Sequence, residues 1–367
     1  LPRWADVALL PVLNLVLALF VSGFVVLMIG QNPLQAIWTI VTGAFGSGYN
    51  IGYTLYFTTN FIFTGIAFAV AAHAGLFNIG GNGQAYIAGL GAAAVALWLD
   101  QTHWLLVMPL AIIAAGLCGG VWGLIPGWLQ AKRGSHVVIT TIMFNFIAAA
   151  IMVYMLNYVF KPPEVMGPES RVIAEAGRIP QFGDFIPMLK NTPVNLMLIV
   201  ALLTVVGFYV LIWRTKFGYA VRTLGHNPEA SVYAGMSNSR LIMISMTLSG
   251  ALAGMVAVNE VVGVQARLTL DFVAEAGFVG IAVALMGRNH PVGVLLAALL
   301  FGVLYQGGSE LQFVMPGLTR EVVVVIQALV ILFTGAMEGL LRAPLQRIFM
   351  LFPGRYDETA DTTESEA

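Results

Sequence analysis

Apolar runs of about 20 residues, the helix length that crosses a bilayer's hydrocarbon core, recur along the chain and restrict it to an all-α, polytopic membrane fold. The composition agrees. With 59% hydrophobic residues, 10% charged residues and a mean hydropathy of +0.86, a chain of 367 residues is far too apolar for a soluble domain. Reading the runs against their breaks predicts about ten spans, near 7–30, 51–72, 82–99, 105–130, 138–160, 193–213, 241–262, 273–287, 291–306 and 321–340. The eighth and ninth are expected to be short. Placing the basic segment Arg214–Arg240 in the cytoplasm puts 11 Lys/Arg on that face and six on the other, which the positive-inside rule favours. Both termini are then expected to be cytoplasmic.

A transmembrane body is expected over 1–356, with the acidic run 357–367 as a disordered tail. Residues 161–192 form the longest outer loop, rich in proline and carrying both charge signs, and suit an ordered cap or a docking surface. Residues 30–50 suggest a helix lying at the outer surface. Gly119, Gly123 and Gly127 at four-residue spacing, with Gly250 and Gly254 in a later span, let helix backbones approach closely. A net charge of −1 and the absence of a basic run argue against nucleic acid as a partner.

Arg214–Arg240 is the most basic polar interruption of the chain. Asn227 suits an N-cap, Pro228 the first helical position and Glu229 the favourable end of the helix dipole. A short helix is expected from there to Gly235, whose type best takes the left-handed C′ conformation, with Ser237 or Asn238 capping the next helix. So short an element needs a surface to dock on.

Gly75–Gln84, GLFNIGGNGQ, places four glycines and three amides between two apolar spans without a charge. Irregular backbone at such a place must be buried in protein or line water, and broken helices there commonly form transport sites. Asn78, Asn82 and Gln84 supply neutral donors and acceptors and Phe77 a face for stacking, which suits a neutral polar solute. The alternative is a tight turn whose amides satisfy its own backbone. On the fifth span Thr141 and Asn145 lie one turn apart beside Phe144, placed either to line a solute path or to bond between helices.

Catalytic chemistry finds no support: HExxH, GxSxG and clustered Cys/His patterns are absent. No lysine follows a glycine, so a P-loop is impossible and any ATP must be hydrolysed by another chain. Glu260 is the one acid well inside a span. A carboxylate at the bilayer centre costs roughly 2.5–3.5 kcal/mol, so an interface or a wet vestibule is expected for it.

GLFNIGGNGQ is similar to the GLFNIGxEGQ signature of permeases in the simple-sugar and nucleoside branch of ABC importers, with Asn82 in place of the usual acid. GAFGS at 43–47, VITTIMFNFIA at 138–148 and GFVGIAVALMGRNHPVGVLLAALLFG at 277–302 follow in the order of that family. Glu229, Ala230, Ser231 and Gly235 resemble the EAAxxxG loop that fits a cleft in the ATPase subunit, with Ser231 in place of the second Ala. The resemblance implies a bacterial inner-membrane importer subunit for nucleosides or related sugars. It further implies a second homologous permease, an ABC ATPase that supplies ATP, a solute-binding lipoprotein and an inverted repeat relating spans two to five with seven to ten. This chain is then expected to bind no cofactor and to meet membrane lipid on its outer faces. Arg222, Asn227, Glu229, Ala230 and Gly235 are the expected coupling residues. A stand-alone secondary transporter is the alternative, against which the poverty of intramembrane charge counts.

Overall fold

A computed structural model describes residues 9–315, 317–318, 320–333 and 344–347. The expected acidic tail, Arg3, Arg342, Arg355 and the end of the tenth span lie outside them. The described chain is built of helices: α1 Leu10–Met28, α2 Pro33–Phe45, α3 Gly48–His73, α4 Gly81–Leu99, α5 Trp104–Arg133, α6 Val137–Met155, α7 Met197–Arg214, α8 Lys216–His226, α9 Pro228–Tyr233, α10 Asn238–Ala253, α11 Met255–Ala257, α12 Ala276–Met286, α13 Pro291–Val314 and α14 Arg320–Ile331. A π-helical turn, Leu156–Phe160, prolongs α6, and a second, Val258–Val264, follows α11.

Six helical stretches among the described residues are long and apolar enough to cross a membrane: 48–73, 104–133, 137–160, 197–214, 238–264 and 291–314. Val16–Met28 and Pro33–Phe45, bent by 119° at their junction, make a seventh if counted as one span. Ten is therefore not reached among the described residues, and the difference lies at α4, α12 and α14. α4 has the length, but its amides and glycines dilute its hydropathy. α12 is an 11-residue apolar helix, short as expected. α14 is described over only 12 residues. The ninth span is not short: α13 runs 24 residues, because the helix continues through Gln306, Gly307, Gly308 and Glu310 after the apolar run stops.

The chain divides into two compact units, residues 1–39 with 309–367, and residues 40–308. In the first, α1 packs on α14. In the second, α5 lies against α10 and α4, while α3 lies against α12, α10 and α7. The glycine stripes set the α5–α10 crossing: a Cβ on Gly250 would stand 2.2 Å from the Gly119 carbonyl oxygen, and one on Gly123 2.5 Å from that of Met246. Backbone meets backbone there with no side chain between. Gly302 of α13 also lies close on α3, where a Cβ would meet the Thr58 hydroxyl and stand 2.7 Å from the Thr54 carbonyl oxygen.

Residues 161–192 are ordered, with three single 3-10 turns at 175–177, 182–184 and 187–189. Backbone bonds from Ser170 to Leu268 (2.9 Å) and from Ile173 to Ala266 (2.7 Å) tie the segment to the stretch before α12. The Arg171 guanidinium meets the buried Asp100 carboxylate at 2.5 Å and holds that carboxyl below its usual range. The loop is thus a cap, and Ser170 is 2% exposed within it.

Candidate functional site

Two assemblies contain the residues singled out above. The first is the helix break between α3 and α4. α3 ends at His73 and is closed by Gly75, whose φ of +72° suits glycine, with Gly75 N–H donating to the Ala72 oxygen and Leu76 N–H to that of Ala71, both at 3.0 Å. α4 begins at Gly81 with no side-chain cap from Gly80, so its first amides need partners from elsewhere. Asn145 supplies one: its Oδ1 accepts the Gly83 N–H at 2.8 Å while its Nδ2 donates to the Ile79 carbonyl at 2.9 Å. Thr141, one turn earlier on α6, accepts the Ile79 N–H at 3.3 Å.

Asn78 closes the turn on itself through the Gly80 N–H (2.8 Å), pairs with Gln84 (3.1 and 3.2 Å), and donates to Ser249 Oγ of α10 at 2.8 Å. Ser249 in turn donates to the Ala67 carbonyl at 2.6 Å. Asn82 Oδ1 accepts the Gly277 N–H at 2.8 Å, satisfying the first turn of α12. The structure therefore gathers Asn78, Asn82, Gln84, Thr141 and Asn145 around the one helix break, Asn78 and Gln84 bonded to each other, Thr141 and Asn145 to its backbone, and Asn82 to the start of α12. Asn78, Asn82, Gln84 and Thr141 are buried and committed to the protein's own groups. Asn145 is half-buried, and Phe77 is exposed, its ring 4.9 Å from Phe68 in a T-shaped contact.

The second assembly is the segment 214–240. Thr215 caps α8 by accepting the Gly218 N–H at 3.0 Å. Asn227 caps α9 as expected, accepting from Glu229 and Ala230 at 3.0 and 3.1 Å. Gly235 takes φ +76°, and Met236 N–H bonds back to Ser231 at 2.9 Å. Ser237 stands at the N-cap of α10 without a side-chain bond. Asn238 instead reaches back to the Pro228 carbonyl at 2.9 Å and to Ser231, which is fully buried. The serine in place of the second Ala thus fastens α9 to α10. The sequence reading missed α8 itself. Its signals were Thr215 at the cap and Gly218, Val221 and Leu224 at three-residue spacing, the residues that α8 buries.

Arg222, Asn227 and Ala230 line a cavity of about 340 Å³ together with Tyr219, Thr223 and His226. Glu229 and Gly235 are not among its lining residues. α8 rests on the end of α3, where a Cβ on Gly225 would stand 2.2 Å from the His73 oxygen and 3.1 Å from the Gly75 nitrogen. The two assemblies therefore touch at Gly225 and Gly75.

Glu260 departs from the expected wet edge. It is 2% exposed in the π-helical turn after α11, where it accepts from Tyr56 Oη at 2.5 Å, Asn60 Nδ2 at 2.6 Å and Gln265 Nε2 at 3.3 Å. Sequence alone gave no sign of these partners, because Tyr56 and Asn60 come about 200 residues earlier.

Residues 50–335 match the family described as the branched-chain amino acid transport system permease component. The chain is 34% identical to a nucleoside ABC transporter permease of Lactococcus lactis, over 89% of this chain and 90% of that one. It is 35% identical to a guanosine ABC transporter permease of Bacillus subtilis, over 89% and 93%, and 33% identical to a glucose ABC transporter permease of Haloferax volcanii, over 97% and 94%. No solved structure matches it.

Proposed function

The chain belongs to the branched-chain amino acid transport system permease family, and from that membership we infer that it is the membrane-spanning permease subunit of an ABC importer for nucleosides or related simple sugars. The observation that carries this reading is near full-length similarity to permeases named for nucleosides, guanosine and glucose. Those solutes are neutral and rich in hydroxyls, which agrees with a helix break furnished with amides and no charge. The family sets aside the stand-alone transporter.

The reading extends to partners and place. ATP is hydrolysed by a separate ABC ATPase, a second homologous permease completes the pathway, and a solute-binding protein delivers the cargo outside a bacterial inner membrane. The α8–α9 projection docks on the ATPase. The break lines the inner part of the path, with Phe77 and Asn145 available to solute and Asn78, Asn82, Gln84 and Thr141 holding its shape. The paired close approaches, α10 on α5 and α13 on α3, support the inverted repeat. Affinity purification of the tagged chain from mild detergent should recover an ATP-binding subunit, and vesicles holding that complex and its binding protein should import guanosine only when ATP is supplied. Recovery of the chain without any ATPase, together with ATP-independent uptake, would remove the importer assignment.

Orientation is checked separately. Met166 is 99% exposed in the 161–192 cap and Tyr233 92% exposed at the end of α9. In a chain with Cys118 replaced, Met166→Cys should react with an impermeant thiol reagent added to intact cells and Tyr233→Cys should react only after lysis. The reverse pattern would place both termini outside.

A further inference from the structure

Glu260 is the one titratable side chain buried at the heart of the described spans that neither assembly uses. Its surroundings are chemically specific. Tyr56 and Asn60 bind it from α3, and Gln265 from the end of the π-helical turn. Behind them Asn60 accepts from Asn259 at 2.9 Å, and Asn259 from Asn195 at 2.9 Å. Every partner is a neutral donor, unlike a proton relay, which pairs ionisable groups.

The position is equally informative. At 1.5 Å per residue, Asn60 stands about 18 Å from the first residue of α3 and about 20 Å from its last, close to mid-membrane. Solute sites of transporters lie at that level on interrupted helices, and π-turns recur at functional positions. Here the helix is interrupted by the π-turn Val258–Val264 itself. Aromatic rings lead to the spot along one face of α3: Tyr49 to Tyr53 at 4.6 Å, Tyr53 to Tyr56 at 6.3 Å, Tyr56 to Phe57 at 5.0 Å, and Phe57 to Tyr305 of α13 at 5.6 Å. Tyr49 is exposed, Tyr53, Tyr56, Phe57, Gln265 and Tyr305 are half-buried, and Asn60, Asn259 and Glu260 are buried. The cluster has a fixed polar wall and an approachable side.

We propose that Tyr56, Asn60, Glu260 and Gln265 form the mid-membrane recognition site for the transported solute, Glu260 accepting the paired hydroxyls of a ribose ring while neighbouring aromatic rings face its base. A nucleoside supplies the two chemistries the site offers, hydroxyl donors for a carboxylate and a flat π-face for tyrosine and phenylalanine. Gln265 makes the longest of the three contacts to Glu260 and is half-buried, so it is the donor that solute hydroxyls displace. The exchange leaves the buried carboxylate satisfied throughout. This assignment rests on the nucleoside reading above and adds a second recognition point, nearer the outer side than Phe77.

The test uses the assembled importer in vesicles with binding protein saturated by either guanosine or 2′,3′-dideoxyguanosine, and reads the ratio of the two import rates. A site built to bond hydroxyls rejects an analogue lacking them, so the parent should favour guanosine by about tenfold or more. Glu260→Gln, which keeps the side-chain shape, should bring the ratio close to one, and Tyr56→Phe, an independent variant, should lower it partway. If Glu260 is only a brace, both rates fall together and the ratio stands, which overturns the proposal. A parent ratio near one also overturns it. A parent that imports neither solute removes the nucleoside reading, and this site with it.

Discussion

Gly250→Ala should lower the melting temperature of the purified chain by several degrees, whereas Gly207→Ala should leave it unchanged or raise it. The same substitution is made in both helices. In α7 a Cβ on Gly207 meets nothing within 4 Å, so alanine's better helix propensity, about 1 kcal/mol, is the whole effect. In α10 the new methyl stands 2.2 Å from the Gly119 carbonyl oxygen and 3.2 Å from the Gly123 Cα. Both are backbone atoms of a helix, which cannot rotate aside as a side chain can. The α5–α10 crossing must widen, at an overpacking cost of about 1–3 kcal/mol or more. Apolar attraction between helices is absent in lipid, so close van der Waals contact is most of what holds such a crossing. Equal melting temperatures for the two variants would show that the crossing relaxes freely and that the stripe is incidental.

What was legible in the sequence divides by range. Asn227, Pro228 and Gly235 announced the limits of α9 because caps are local: each donor and acceptor lies within a few residues. The apolar runs located α3, α5, α6, α7 and α10 for a similar reason, since hydropathy is a property of the run itself. α13 was cut short because Gln306 and Glu310 look like an end, yet a helix inside a bundle carries polar residues where protein surrounds it. The residues of the break, and separately Thr141 with Asn145, stood out by type and spacing, but not what they hold. Asn82 caps a helix 195 residues away, and Asn78 reaches Ser249 across 171 residues. No periodicity reports such partners. Glu260 was misplaced for the same reason: the cost of burying a carboxylate was weighed without the three donors that the fold brings to it.

Gly225→Ala should abolish the response of ATP hydrolysis to loaded binding protein, and import with it, while the chain still inserts and assembles. Alanine is the better helix former by about 1 kcal/mol, so α8 itself gains. The loss comes from the added methyl, 2.2 Å from the His73 oxygen and 3.1 Å from the Gly75 nitrogen. Those atoms belong to the last turn of α3 and to the left-handed residue that opens the Gly75–Gln84 break. On the proposed coupling, a displacement of α8 by an ATPase would arrive where the proposed inner solute path begins, with no flexible side chain to absorb it. A penalty of about 1–3 kcal/mol on one of two states shifts their populations by roughly 5- to 150-fold, enough to hold the importer on one side of its cycle. Gly235→Ala is the comparison: its φ of +76° strains an alanine by about 1–2 kcal/mol, but nothing lies within 4 Å of the new methyl, so only the turn into α10 is disturbed. Gly225→Ala should therefore do the greater harm to import at equal or better thermal stability. Import at the parent rate would show that force does not pass through this contact. A parallel loss of stability and import would reduce it to packing.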